Sequence, residues 1–251
     1  MTPINQQLIA ELEKIEDAGP LIHEIFSRFG PRAAIGTSGQ LTGVAMIDLA
    51  VSSGTLPRVF TIDTLRLFPE TYQLFDKIEK KYRLKVERIK PDPKKLAAMV
   101  KEHGEHLFFD SKQKQEMCCN LRKVEPNERV LDTVDVWLTG LRADQSKGRA
   151  KTSRFEIIAH GPDKRPILKV SPLVAWTEKQ LREYAAQHQV PVHPLLDWNQ
   201  DGWYYESLGC VICTTPIGPD EPRRAGRWRW FNNLEDNDKE CGIHKVHKDE
   251  V

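Results

Sequence analysis

The 251-residue chain has no apolar run approaching the ~20 residues that a membrane-spanning helix needs. It also has no excess of charge of one sign: 37 basic residues face 36 acidic ones, a net charge of +1. No global field draws it to nucleic acid or to a membrane, and charge acts only in local clusters. A disulfide framework is missing too. Five cysteines are an odd number, two of them are adjacent, and a chain of this length buries enough core without covalent staples. That usage fits a reducing cytoplasm. Residues 1–14 are acidic and amphipathic, not a basic region followed by an apolar one, so the pattern predicts no secretory signal. Repeats and low-complexity tracts are absent. Length predicts one large domain, residues 1–230, followed by a tail, 231–251.

What the chain does contain is an alternation of short apolar strands with amphipathic helices. Ile4, Leu8, Leu12 and Ile15 predict a helix over 4–17 ended by Gly19-Pro20; a second helix through Leu21, Ile25 and Phe29 stops at Gly30-Pro31. Strands are predicted at Ala33–Gly36, Arg58–Ile62, 84–89 and Asp135–Gly140. Helices are predicted at Val44–Val51, 69–82, after Pro93 and around 113–123. Phe155–His160 and Pro166–Val170 read as a hairpin, and Thr177-Glu-Lys-Gln180 is a capping box opening a helix to Gln187. Residues 198–205 read as an aromatic, polar loop, and 142–154 as either a lid or a solvated connection. The alternation predicts an α/β fold, a mostly parallel sheet flanked by helices, with a solvated, mobile C-terminal tail.

In such sheets ligands sit outside the carboxyl ends of the strands. Thr37-Ser38-Gly39-Gln40-Leu41-Thr42-Gly43 lies at one such end, where a small-residue turn before a helix offers N–H groups to an anion; an ordinary connection favours the same residues. Asp63 lies at another, as a ribose partner or as the cap of its own turn.

The five cysteines sort into Cys118-Cys119, Cys210-Val-Ile-Cys213 and a lone Cys241. Two pairs point to a metal centre. Zinc prefers two spaced pairs wrapping one ion, whereas adjacent helical residues diverge by ~100°. Thiolates that diverge suit a cluster in which each takes its own iron, so Cys118, Cys119, Cys210 and Cys213 read as the ligands of a [4Fe–4S] centre. Cys241 sits near His244, Lys245, His247 and Lys248, an electropositive setting that favours a reactive thiolate over a spare one. Arg223, Arg224, Arg227 and Arg229 are able to fork onto phosphate or sulfate oxygens, or to solvate a basic face and stack on Trp228 and Trp230.

Taken together, Cys-Cys-x-x-x-Lys at 118–123, Ser-x-Gly-Cys-x-x-Cys-Thr at 207–214, the Arg-x-Gly-Arg-Trp region near 224–228 and Glu-Cys-Gly-Ile-His at 240–244 resemble the assimilatory adenylyl-sulfate reductases. Residues 61–71 and Thr139-Gly-Leu-Arg-Ala-Asp-Gln145 look like that family's nucleotide-side motifs. The resemblance implies an adenine-nucleotide alpha-hydrolase-like sheet, a bound [4Fe–4S] cluster, and reduction of adenosine 5′-phosphosulfate to sulfite and AMP with thioredoxin as reductant. It implies attack by Cys241 on the phosphosulfate sulfur, leaving an S-sulfocysteine. Lys123, Arg142, Arg224 and Arg227 are assigned to the sulfate oxygens, Ser38 and Gly39 to the α-phosphate, Asp63 or Arg66 to the nucleoside, and His244 to the substrate side. The expected setting is the cytoplasm, with a homo-oligomer left open.

Three features depart from the pattern. Leu65 stands where glycine is usual, the 37–43 turn lacks the serine-rich form, and 197–205 is longer. Tolerance of a 3′-phosphate therefore stays open, and an enzyme preferring the 3′-phosphorylated substrate, or using both, is the nearest alternative. A cluster-bearing tRNA-thiolating enzyme would want an intact pyrophosphatase loop and a basic RNA surface. A zinc-stapled binding module or a cluster-based sensor would leave the arginine run and Cys241 without a purpose.

Overall fold

The computed structural model describes residues 2–231 together with Ile243. In chain order the elements are α1 (Gln6–Leu12), α2 (Ala18–Phe29), β1 (Ala33–Gly36), α3 (Leu41–Ser52), β2 (Val59–Ile62), α4 (Pro69–Tyr82), β3 (Val86–Ile89) and α5 (Pro93–His103). Then follow α6 (Lys112–Cys119), α7 (Glu125–Leu131), β4 (Val136–Thr139), β5 (Phe155–His160), β6 (Arg165–Val170), α8 (Glu178–Gln187), β7 (Asn199–Gln200) and β8 (Trp203–Tyr204).

The first six strands form one sheet in the order β3-β2-β1-β4-β6-β5. Every neighbouring pair is parallel except β5 and β6, which form the antiparallel edge. The expected fold class holds. The order reverses between β1 and β4, the switch point at which open α/β sheets bind ligands. Both strands are almost wholly buried and read as short apolar runs, as parallel strands covered on both faces must. α3 is buried along most of its length and packs with α2, α4 and α8 in the main core around Ile35, Met46, Ile47 and Phe75. That burial fixes the amino end of α3 beside the carboxyl ends of β1 and β4.

Several predicted boundaries move. Leu41, Thr42 and Gly43, expected in the 37–43 turn, form the first turn of α3, which Gln40 precedes as the N-cap. The first helix covers only Gln6–Leu12, its Asn5 cap accepting from the Leu8 N–H at 3.0 Å. Glu13, Glu16 and Asp17 would crowd negative charge onto its carboxyl end. Gly19-Pro20 does not end a helix but lies in the first turn of α2, where proline's missing N–H has no intrahelical partner to lose. The expected 198–205 loop holds the small β7–β8 hairpin, turned by Asp201 and Gly202, with φ of 52° and 84°. Those angles suit a two-residue primed turn, for which Asp-Gly is a preferred sequence. Among the described residues no helix is long and apolar enough to cross a membrane.

Candidate active site

A cleft opens at the switch point. Its floor is Gly36 and Thr37 at the end of β1, Thr61, Ile62 and Thr64 at the end of β2, and Thr139 and Gly140 at the end of β4; its walls carry Lys123, Arg224 and Arg227. Ser38 lines it. Gly39 belongs to the same turn but is not part of the lining, and its N–H donates to Thr37 Oγ1 at 3.1 Å. The turn does face the cleft, as expected from its place between strand and helix.

Beside the cleft is a small chamber lined by Cys118, Cys119, Cys210 and Cys213, with Arg66, Arg122, Lys123, Phe108 and Trp228 around them. All four thiols are unbridged. The helix carrying the first pair runs through a π-helical turn, Asn120–Val124, before continuing as α7. Pro126 at the second position of α7 has no N–H to give to Arg122 C=O, and a π-turn is one way a helix accommodates such a loss. Adjacent cysteines diverge as a helix requires. Cys118 packs with Met99, Phe108 and Leu121, while Cys119 packs toward Cys210, Cys213 and Trp228. Arg122 turns inward, 4 % exposed, and donates to Thr64 O at 2.8 Å.

The second pair sits on a tight turn. The Cys213 N–H donates to Cys210 O at 2.9 Å, Thr214 Oγ1 donates to the same oxygen, and the Val211 N–H donates to Arg66 O at 2.8 Å. The arginine run folds back over this turn, with the Trp228 N–H donating to Cys213 O. Gly209 allows the closest approach. A Cβ there would lie 2.3 Å from Arg227 Nη2.

Burial governs two of the thiols. It pushes Cys118 up, and it pushes Cys213 up to about 12, with Cys210 as the next cause. Thiols this hard to ionise by themselves lose their protons when a metal takes the proton's place. Gln115, four residues before Cys119 and therefore on the same helix face, donates from Nε2 to Cys119 Sγ at 3.0 Å. Cys210 Sγ donates to Thr64 Oγ1 at 3.2 Å. Among the described residues no three Cys, His, Asp or Glu side chains converge as ligands of one ion. The four sulfurs ring a chamber instead, and the donor set of four thiols with cations around them fits a multi-iron group.

The predicted site residues divide. Ser38, Lys123, Arg142, Arg224 and Arg227 all line the cleft, and Lys123 lines the chamber as well. Asp63 does not line it: 3 % exposed, its Oδ1 accepts from the Leu65 N–H at 2.9 Å and from Tyr72 OH at 2.7 Å, so it caps its own turn. Arg66 belongs to the chamber wall, donating to Glu105 and lying over the Phe108 ring. Neither is part of the cleft lining. Cys241 and His244 lie outside the described residues; Ile243, between them in sequence, lines the cleft.

Sequence reasoning missed the carboxylates. Glu178 and Glu206 both line the cleft. Glu178 Oε2 accepts from Arg142 Nη2 at 2.5 Å, and Glu206 Oε1 accepts from Arg223 Nε at 2.5 Å. Burial raises the Glu206 carboxyl, and Arg223 opposes that shift. The capping box at Thr177 located Glu178 on a helix end but carried no sign of what it faces. Arg229, grouped with the anion-binding arginines, is instead tied to Glu221, Thr215 and Pro216 O.

Residues 32–216 match the phosphoadenosine phosphosulfate reductase domain. The chain is 40% identical over 188 residues to an adenosine 5′-phosphosulfate reductase of Rhizobium tropici, covering 75% of this chain and 97% of that protein. It is 34% identical over 249 residues to a protein of the same name from Pseudomonas aeruginosa strain LESB58, covering 97% and 89%. A solved phosphoadenylyl-sulfate (PAPS) reductase from Candida auris is similar at a TM-score of 0.65 and 26% identity, covering 85% of this chain and 99% of that one. A Candida glabrata FMN adenylyltransferase, at 15% identity and a TM-score of 0.54 over 86% of this chain and 68% of its own, shares the fold alone. A switch-point cleft walled by cations, next to four unbridged cysteines, thus stands on a chain that belongs to the phosphoadenosine phosphosulfate reductase family.

Proposed function

We propose that the protein reduces adenosine 5′-phosphosulfate to sulfite and AMP, in assimilatory sulfate reduction in the cytoplasm, with thioredoxin as the reductant. The observation that carries the reading is Lys123, which lines both the cysteine chamber and the cationic cleft. A sulfur-bearing anion in the cleft would therefore lie close to the chamber. The relatives named adenosine 5′-phosphosulfate reductase support the same substrate.

In this reading Ser38 and the amino end of α3 receive the α-phosphate, and Lys123, Arg224 and Arg227 neutralise the sulfate oxygens so that a thiolate is able to approach. Cys241, carried on the tail 231–251 beyond the 1–230 domain, attacks the sulfur. An S–S bond forms, the S–O bond to the phosphate breaks, and AMP leaves with the electron pair. One thiol of thioredoxin then attacks Cys241 Sγ and expels sulfite. Its second thiol resolves the mixed disulfide, so two electrons pass from the dithiol and Cys241 is restored. Ile243 in the cleft wall supports an approach of the Cys241 segment from that side.

Cys118, Cys119, Cys210 and Cys213 would hold a [4Fe–4S] cluster, which when bound supplies a fixed charge beside the sulfate site and ties both cysteine segments together. Gln115, Thr64, Arg66 and Arg122 orient and charge-balance those four sulfurs.

The test is thioredoxin-dependent sulfite release by anaerobically purified protein, with iron and labile sulfide measured on the same sample. Without thioredoxin, one sulfonate should accumulate on Cys241. A Cys241→Ser protein that still makes sulfite removes that residue from the mechanism.

A further inference from the structure

The cleft holds two sets of guanidinium groups, and they are not in the same electrical state. At the chamber end, Arg227 donates to Ser207 Oγ and Leu208 O, both neutral. Elsewhere in the lining, Arg142, Arg182 and Arg223 interlock with carboxylates that include Asp144, Glu178 and Glu206. Arg142, its side chain 2 % exposed, gives Nε to Asp144 at 3.0 Å, Nη1 to Thr42 Oγ1 at 2.7 Å and Nη2 to Glu178 at 2.5 Å. Arg182 gives Nε to Glu178 at 2.9 Å. Arg223 pairs with Glu206, donates to Asp144 O at 3.1 Å, and stands 3.9 Å from Glu178. The Glu178 N–H donates back to Asp144 Oδ2 at 2.7 Å, closing the network. Arg182 also pairs with Asp197 at 3.3 Å, so three cations meet four anions.

Such a wall does not attract a further phosphate. An incoming phosphate would have to compete with a carboxylate already bonded to each guanidinium, and at these separations it would also be repelled by that carboxylate. A nucleotide with a single anionic arm needs only the chamber-end cations. One with a second phosphate must put that charge elsewhere in the cleft, where Arg142, Arg182 and Arg223 are already paired with carboxylates and Arg149 donates to the neutral Gln145 Oε1.

Resting on the proposed reductase function, we infer that Glu178 and Glu206 are specificity-determining residues that select against a 3′-phosphorylated nucleotide by neutralising Arg142, Arg182 and Arg223. They make the wrong substrate costly without gripping the right one. Arg142 thereby belongs to the selecting wall more than to the sulfate site.

The test compares adenosine 5′-phosphosulfate with its 3′-phosphorylated form on wild type, Glu178→Gln and Glu206→Gln. The ratio of kcat/KM for the 3′-phosphorylated over the unphosphorylated substrate should rise about ten-fold in at least one variant. Glu178→Asp and Glu206→Asp, which keep the charge, should return the wild-type ratio. Calorimetric binding of AMP and adenosine 3′,5′-bisphosphate should shift in the same sense, a readout that needs neither turnover nor iron. Ratios unchanged within about two-fold in both glutamine variants, with wild type still reducing adenosine 5′-phosphosulfate, overturn the inference and leave the function standing. A wild type that prefers the 3′-phosphorylated substrate overturns it as well. Sulfite from neither nucleotide brings down the function, and the selectivity with it.

Discussion

Two parts of the cleft lining, one around Arg227 and one around Arg142, use the same side chain for opposite ends. Arg227 lies over the Trp228 ring at 5.0 Å and donates to neutral oxygens, so its charge remains available to whatever enters the cleft. Arg142, as deeply buried, has its charge taken up by Asp144 and Glu178. Burying a guanidinium is costly on either wall, and on both walls hydrogen bonds offset the cost. What differs is the acceptor. A carbonyl satisfies the donor and leaves the field; a carboxylate satisfies the donor and cancels the field. Anion binding in this cleft therefore depends on the company each arginine keeps.

The harshest way to break this comparison is Cys213→Ser. If the chamber is a metal centre, iron, labile sulfide and sulfite release should all be lost, while the carboxylate wall still binds or rejects nucleotides as before. A Cys213→Ser protein with its full iron content would make the chamber merely a piece of core.

Lys123→Ala is next. It should slow sulfonation of Cys241 by about 10²-fold, the scale of losing one positioned electrostatic group, with the visible absorption of the centre retained. Loss of absorption in that variant would assign Lys123 to holding the chamber instead.

Gly209→Ala sharpens the contrast at a single guanidinium. The new Cβ would displace Arg227, and kcat/KM for adenosine 5′-phosphosulfate should fall about ten-fold. The preference between the two nucleotides should not move, since the carboxylate wall is untouched.

The smallest effect on turnover concerns acid. His193, 1 % exposed, accepts the Leu195 N–H at Nδ1 and faces Thr71 Oγ1 at 2.9 Å beneath the cleft. Burial lowers its pKa from 6.5 to about 4. The unfolded chain therefore takes up this proton before the folded one does. Stability is complete above about pH 6.5 and falls as the pH drops toward 4, by about 3 kcal/mol in all. Denaturant titrations across that window should show the slope, and His193→Gln should remove it.

Much of the frame was readable from periodicity and capping. β1 runs from Ala33 to Gly36 and α4 from Pro69 to Tyr82, as expected, and the hairpin of β5 and β6 pairs antiparallel. Gly19-Pro20 misled because the same two residues punctuate a helix at either end. The Asp201-Gly202 turn carried a local hairpin signal that the aromatic character of its surroundings obscured. Asp63 was open to two readings, and the Tyr72 hydroxyl with the Leu65 N–H favours the cap. The π-turn before Pro126 had no sequence signal beyond the proline, yet it sets where Arg122 and Lys123 point.

By itself the sequence determined the alternation of strands and helices, the pairing of the cysteines and the cationic side chains of the cleft. Those are properties of spacing and residue type, and they act over a few positions. The tertiary structure alone decided which arginine meets a carbonyl and which meets a carboxylate. Arg142 finds Thr42 across 100 positions and Glu178 across 36. Charge compensation depends on distance in space, and at such separations only the folded sheet sets that distance.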